Sequence, residues 1–365
     1  MEIKRELLSS EKLKPLFDDP TKLEFGKSFT DHMFTMEYTR EGGWKNPEIK
    51  PYQPLVLEPA TMVFHYSQEA FEGQKAYRSP KDEILLFRPL ENARRMNRSM
   101  ARMCIPEIPE EIFLQAECEL LKVEKRWIPK QKGTSLYIRP VVIATEVLLG
   151  AVRPSDKYLL FIILSPVGPF YKEGFDPVGL LVERVYSRAA LGGTGEAKTA
   201  GNYAGTIAPT QIAKNKGYSQ VLWLDAQEHR YVEEVGTMNI FFVVDNKLVT
   251  PPLTGTILPG ITRRSVLEMA GDLGIEAEER LISIDEVVEG IESGRVTEAF
   301  GAGTAAVISP VGRINYDGKE YVVGKNQTGY WARRFFDTLT GIQYGELKDK
   351  HGWVYRVGCA DVSET

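Results

Sequence analysis

LGGTGEAKTAGNY, residues 191–203, is the stretch on which the reading of this chain turns. It sets four glycines around one lysine, Lys198, with Tyr203 five residues on. As a phosphate-cradling loop GxxxxGK[ST] it almost fits: Gly192 and Lys198-Thr199 match, but Ala197 stands where the second glycine is needed. Downstream, VLWLD ending at Asp225 supplies the strand and acid that help hold magnesium in such proteins. That loop must follow a buried strand directly, however, and Ser187-Arg188-Ala189-Ala190 intervene. On residue type alone, Lys198 is a solvated loop lysine. A third reading makes it a nucleophile. Desolvation on a Gly-rich, partly closed turn lowers a lysine's pKa, and the free amine forms a Schiff base with an aldehyde cofactor. Tyr203 then stands where it can hydrogen-bond that cofactor's phenolic oxygen.

A pyridoxal phosphate cofactor makes two further demands. One is a carboxylate against its pyridine nitrogen, which keeps the nitrogen protonated and the ring an electron sink. YVEEVGTMNIFFVV, 231–244, sets Glu233-Glu234 at the mouth of an apolar strand, with Gly236 and Thr237 beside them. The other is an anion site. GTILPGITRRSVLEMA, 255–270, runs a Gly/Pro turn into an amphipathic helix with Thr262 as the expected N-cap. Free N–H groups and the helix dipole favour a dianion there. FGAGT, 300–304, adds a second Gly-rich turn with the Thr304 hydroxyl. Taken singly each has a plainer reading, since acid pairs before a strand are usually solvated and many helices start on such a turn.

Around these turns the chain reads as a soluble globular protein of two domains. Its 365 residues are 43% hydrophobic and 26% charged, which excludes a disordered chain. Lys+Arg number 45 against 50 Asp+Glu, and the net charge of −5 argues against a nucleic-acid partner. The longest apolar run, residues 158–164, is far short of the roughly 20 residues of a membrane span. The N-terminus mixes both charges with no apolar core, unlike a signal peptide. Cys104, Cys118 and Cys359 contain no CxxC and the four histidines no HExxH, so no disulfide framework and no metal site is expected.

The alternation of apolar residues predicts strands at 60–66, 84–88, 135–145 and 158–165, after some forty polar residues read as irregular or edge structure. Helical spacing follows over 91–104, where Met96, Met100 and Met103 form one stripe with Arg94, Arg95 and Arg98 around it, and over 110–127. Residues 1–168 are thus expected to form a small α/β domain. The Pro- and Gly-rich stretch 169–178 reads as the linker. A larger domain, 179–365, should carry strands at 179–187, 220–225 and 238–250, helices near 203–215 and 263–273, the run 296–311, and a polar tail. The class is α+β.

Together these segments resemble a known family. GGTGEAKTAGNYAGT, EEVGTMNIFF, TGTILPGITRRS and EAFGAGTAAVISPV are similar to the signature blocks of branched-chain amino-acid aminotransferases, fold-type IV (class IV) pyridoxal phosphate enzymes. FGKSFTDHM (25–33), HYSQEAFEG (65–73), RPLENARRMNRS (88–99) and SLYIRP (135–140) resemble that family's first domain. The resemblance runs in order through nearly the whole chain. It implies a two-domain, D-amino-acid aminotransferase-like fold with pyridoxal 5′-phosphate at the domain interface. It also implies that Lys198 forms the internal aldimine and shuttles the proton between substrate Cα and cofactor C4′. By the same matching Tyr203 meets the phenolic oxygen and Glu234 the pyridine nitrogen. Arg95, the backbone of Ile261 and Thr262, and Thr304 meet the phosphate, and Leu258 packs on the ring. Tyr66, Tyr137 and Arg139 take the substrate carboxylate, with backbone amides around Thr237 and Ala305. Phe25, Phe71 and Phe170 shape the apolar pocket, and Tyr66 reaches across a dimer interface.

What the resemblance implies is transamination of leucine, isoleucine and valine with 2-oxoglutarate by a cytoplasmic homodimer that uses no metal. Two departures qualify it. Mammalian members carry CxxC after the FGxGTA turn, where this chain has Ala306 and Ser309, so no redox switch is expected there. Phe170 stands where relatives carry Tyr, which removes a hydroxyl from the pocket. The alternatives are another fold-type IV enzyme, a D-amino-acid aminotransferase or aminodeoxychorismate lyase, and a P-loop-like nucleotide-binding protein.

Overall fold

The computed structural model describes residues 1–150, 152–169 and 175–358. The chain divides into two compact units: Met1–Phe170 with Ala197–Ala200 and Gly341–Thr365, and Tyr171–Glu196 with Gly201–Thr340.

The first unit runs β1 (Lys4–Arg5), β2 (His32–Thr39), β3 (Gly43–Pro51), α1 (Met62–Tyr66), β4 (Glu69–Phe71), β5 (Gln74–Arg78), β6 (Ile84–Phe87), α2 (Pro89–Arg102), α3 (Glu110–Val123), β7 (Ser135–Ala144) and β8 (Lys157–Val167). The strands form one sheet, ordered β1-β3-β2-β8-β7-β5-β6, with β4 beside β7. Period-two alternation decides what each strand does. On β7, Leu136, Ile138, Val142 and Ala144 join the core that α2 and α3 cover. Tyr137, Arg139, Val141 and Ile143 therefore share the opposite face. Glu69 pairs with Ile143 and Phe71 with Val141, which puts both on that same face, while Ala70 joins the core. On the helix side, α2 starts at Arg88, in the left-handed region at φ 52°, with Pro89 in its first turn. It buries Met96 and Met100, each contributing roughly 1.5–3 kcal/mol by apolar burial.

The second unit runs β9 (Val178–Val182), α4 (Ala200–Ala204), α5 (Ile207–Asn215), β10 (Gln220–Leu224), β11 (Val232–Val235), β12 (Met238–Val244), β13 (Lys247–Thr250), α6 (Ile261–Leu273), β14 (Ala277–Glu279), α7 (Ile284–Ser293), β15 (Val296–Gly303), β16 (Val307–Tyr316), β17 (Lys319–Val322) and α8 (Tyr330–Gln343). Its sheet order is β11-β10-β9-β16-β15-β12-β13-β14, and a further pairing of β11 with β12 closes six of these strands on themselves. Leu180, Leu222, Ile240, Phe242 and Ile314 are among the side chains of its core.

Several expectations need correction. Within the expected strand 60–66, Met62–Tyr66 form a one-turn helix: the run is too short for its period to decide. The first forty residues hold an interior strand, β2, paired on both sides. Its polar residues hid it, because His32 is buried against Glu124. The strand from 179 stops at Val182, where the Glu183 carboxylate accepts the Val185 and Tyr186 N–H groups. Residues 238–250 are a hairpin, turning at Asp245-Asn246, both at positive φ. Thr262 is not the N-cap of its helix; Gly260 is. The polar tail holds α8, which buries Phe335 and Leu339, and then β18 (Val354–Arg356), paired with β6. Gly341 onward accordingly groups with the first unit, where the sequence division carries the second domain to residue 365.

Candidate active site

The first unit pins the peptide on both sides of Lys198. Its N–H donates to the Ser99 hydroxyl of α2 at 2.9 Å, and its carbonyl accepts the Phe71 N–H at 3.0 Å. The Thr199 hydroxyl donates to the Glu69 carbonyl at 2.8 Å, and the Ala200 N–H donates to the Glu69 carboxylate. The Lys198 amine lies 4.9 Å from the centre of the Phe71 ring, and the Arg139 guanidinium carbon lies at the same distance. Arg139 donates to the Tyr137 hydroxyl at 2.9 Å. Its Nε is shut off from solvent and has no hydrogen-bond partner among the described residues. Such a cation, with a hydroxyl and two aromatic rings for company, is set up to receive an anion.

Gly73 is what lets Tyr137 stand there: a Cβ at residue 73 would come within 2.0 Å of the tyrosine oxygen. Phe25 packs edge-on against Tyr137 at 4.7 Å. Behind this face the carboxylate of Glu72 is fully buried. It accepts from Arg95 Nε and Nη2 at 2.7 and 2.9 Å and from the Asn92 amide at 2.8 Å. Burial alone would raise its carboxyl, but Arg95 above all, with Lys198 and Asn92, holds it below the ordinary range. At Glu69 burial wins over Ala200, Arg139 and Lys198, and the carboxyl is raised. Arg95 is itself buried.

In the second unit Glu234 is buried on β11 with the Arg188 guanidinium 2.5 Å away, an ion pair that favours the carboxylate form. Asn239 on β12 donates to Glu234 at 3.1 Å and to the Leu258 carbonyl at 2.9 Å. One side chain thereby ties the carboxylate to the turn ahead of α6. That turn needs Gly260, because a Cβ there would meet Asn239 at 2.0 Å. No side chain among the described residues caps α6, and its first N–H groups, at buried Ile261 and Thr262, form the positive end of the macrodipole. Thr237 lies exposed in the β11–β12 turn, and Thr304 and Ala305 lie half-buried in the β15–β16 turn. Tyr203 is half-buried on α4.

Not every expected residue joins these groups. The Tyr66 hydroxyl accepts the Gly150 N–H at 2.8 Å, and no contact among the described residues links it to Tyr137 or Arg139. Phe170 lies outside the described residues. The P-loop reading finds no support. The Asp225 carboxylate accepts four N–H groups of its own turn, from Gln227, Glu228, Arg230 and Tyr231. The Gly-rich loop does not directly follow a strand, since β9 ends at Val182.

The sequence model of the family described as Amino-transferase class IV matches residues 69–314, well over half of the chain. Branched-chain-amino-acid aminotransferase 2 of Bacillus subtilis is 51% identical over 99% of both chains. The chain belongs to the class IV aminotransferases. The branched-chain amino acid aminotransferase from Escherichia coli has the same fold, with a TM-score of 0.73 at 27% identity over 90% of this chain and 99% of that one. A T.th. branched-chain amino acid aminotransferase, solved with pyridoxamine 5′-phosphate, aligns with a TM-score of 0.72 over 88% of this chain and 98% of that one. At 24% identity it speaks for the fold alone.

For a class IV aminotransferase, each unit carries features that a pyridoxal phosphate group requires: an anchored lysine in the first, and a held carboxylate and an uncapped helix start in the second. Among the described residues no cluster of His, Cys, Asp or Glu could hold a metal ion, and no helix is long and apolar enough to cross a membrane. Asn92, Ser99, Glu69, Glu72, Arg188 and Asn239 carried no role in the sequence reading. Asn239 gave the clearest signal, as the one amide in the apolar run MNIFFVV. Glu69 and Glu72 are acids inside a strand-like run ending FEG. Arg188 gave none, because its partner Glu234 is 46 positions away along the chain.

Proposed function

We propose that this chain transfers the amino group of leucine, isoleucine or valine to 2-oxoglutarate, giving the branched-chain 2-oxo acid and glutamate. The observation that carries the reading is the Lys198 backbone, fixed at both ends beside an aromatic ring and an arginine that ion-pairs with no carboxylate among the described residues. The near full-length likeness to a branched-chain aminotransferase supports the choice of substrates. Pyridoxal 5′-phosphate, when bound, supplies the electron sink for the substrate Cα.

The chain's own residues would then divide the work. Lys198 holds the cofactor and moves the proton at Cα, and its fixed backbone limits the amine to a short arc. Glu234, steadied by Arg188 and Asn239, faces the pyridine nitrogen, and Tyr203 the phenolic oxygen. Leu258 lies against the ring. The phosphate falls to Arg95, to the Ile261 and Thr262 N–H groups, and to Thr304. Arg139 and Tyr137 take the second carboxylate of 2-oxoglutarate, and Tyr66, with amides at Thr237 and Ala305, takes the carboxylate that all the substrates share. Phe71, Phe25 and Phe170 exclude water beside an aliphatic side chain, where each methylene is worth about 1–3 kcal/mol of discrimination. The same reading makes the protein a homodimer of the cytoplasm.

The test is a panel of amino donors against 2-oxoglutarate with added pyridoxal phosphate. The reading expects a yellow protein whose absorbance shifts on leucine, and glutamate formed in step with 4-methyl-2-oxopentanoate. A preparation that stays colourless with added cofactor contradicts it, as does pyruvate release without glutamate.

A further inference from the structure

Two buried acids three residues apart, Glu69 and Glu72, share the charge of Lys198 but face different arginines. Glu72 is engaged by Arg95 Nε and Nη2, by Asn92 and by the Gly73 N–H at 3.1 Å. Glu69, 7% exposed, accepts the Ala200 N–H, and the charged groups that face it are Arg139 from β7 and Lys198 from the 197–200 segment, with the Thr199 hydroxyl beside them. Strand register puts Glu69 on the face that carries Phe71, Tyr137 and Arg139. Arg139 lies over the ring of Phe71, two residues from Glu69 on the same strand.

An aminotransferase using an aliphatic and an acidic substrate in turn has a charge problem at such an arginine. With leucine bound, its charge faces an apolar chain. With 2-oxoglutarate bound, a second carboxylate arrives where Glu69 already supplies one, and like charges in a dry site disfavour each other. We propose that Glu69 is a specificity-determining residue: as a carboxylate it balances Arg139 beside an aliphatic side chain, and it takes a proton from solvent when an acidic substrate brings its second carboxylate to Arg139. This rests on the reading under Proposed function. Burial raises the Glu69 carboxyl, so the proton is taken up at lower cost than at an exposed carboxylate.

Binding coupled to proton uptake weakens as pH rises, by up to about tenfold per unit above the titration of the free site. The test uses the holoenzyme and two non-reacting ligands, glutarate and 4-methylpentanoate, titrated calorimetrically in buffers of different ionisation enthalpy. The wild type should take up about one proton with glutarate and none with 4-methylpentanoate. Glu69→Gln keeps an acceptor for the Ala200 N–H, and its cofactor absorbance and thermal unfolding report whether the fold survives. It should take up no proton with either ligand. Its KM should fall for 2-oxoglutarate and rise for leucine, each by roughly threefold to tenfold. Glutarate uptake that persists in Glu69→Gln overturns the proposal, as do two KM values moving the same way or no uptake by the wild type. A wild type that forms no glutamate from leucine overturns the transaminase reading itself. One that does, with proton uptake indifferent to residue 69, overturns only this inference.

Discussion

Two arginines of the first unit lie on opposite faces of one sheet and are treated in opposite ways. On the helix-covered face Arg95 is buried and gripped along one edge by the Glu72 carboxylate. On the other face Arg139 hydrogen-bonds the Tyr137 hydroxyl and lies over two aromatic rings, with the Glu69 carboxylate near but not ion-paired to it and its Nε unanswered among the described residues. A buried cation already matched by a carboxylate is part of the fold, and Glu72 fixes the direction in which its remaining N–H groups point. A half-buried cation without such a match is being kept for something that binds. The two arginines therefore predict different failures.

The largest effect belongs to the open face. Lys198→Ala should lower turnover of leucine with 2-oxoglutarate by on the order of 10⁴-fold or more, while thermal unfolding of the cofactor-free protein moves little. On the helix face, Arg95→Gln leaves Glu72 buried without its cation. Denaturant titration should show a loss of roughly 3–5 kcal/mol, and a loss under 1 kcal/mol would erase the contrast. Gly73→Ala drives a methyl into the Tyr137 hydroxyl. A stability loss of about 1–3 kcal/mol is expected, together with a higher KM for 2-oxoglutarate as Tyr137 leaves Arg139.

The smallest effect tests the helix face by pH. Glu117 is fully buried against Gln74, and burial pushes its carboxyl far up, aided by the charge of Glu72. The native state thus keeps a proton that the unfolded chain releases above about pH 4.3, so stability falls as pH rises from there. Glu117→Gln removes that loss. Its stability relative to the wild type should therefore rise steadily from pH 4 to pH 8, read from paired thermal melts, and a difference that does not change with pH contradicts the buried proton.

What the sequence made legible was decided by locality. Lys198, the glycine turns and the strands 135–145 and 158–165 could be read because their signals are contiguous. α2 was read for its methionine stripe, yet Arg95 and Ser99, which meet Glu72 and Lys198, depend on partners far along the chain. The Glu234–Arg188 pair and the Asn239 tie are likewise invisible to periodicity. β2 was missed for a related reason: His32 and Thr35 look like surface residues until Glu124 and the neighbouring strands bury them. α8 was an avoidable loss, since Ala332, Phe335, Leu339 and Ile342 already carried helical spacing.

The most direct test of the contrast is Arg139→Gln, assayed for stability and for KM on the same preparation. KM for 2-oxoglutarate should rise by about 30-fold or more, from the loss of a charged partner, with the unfolding midpoint within roughly 2 °C of the wild type. An unfolding midpoint lowered as far as that of Arg95→Gln, with KM unchanged, would make Arg139 a structural residue and erase the difference between the two faces.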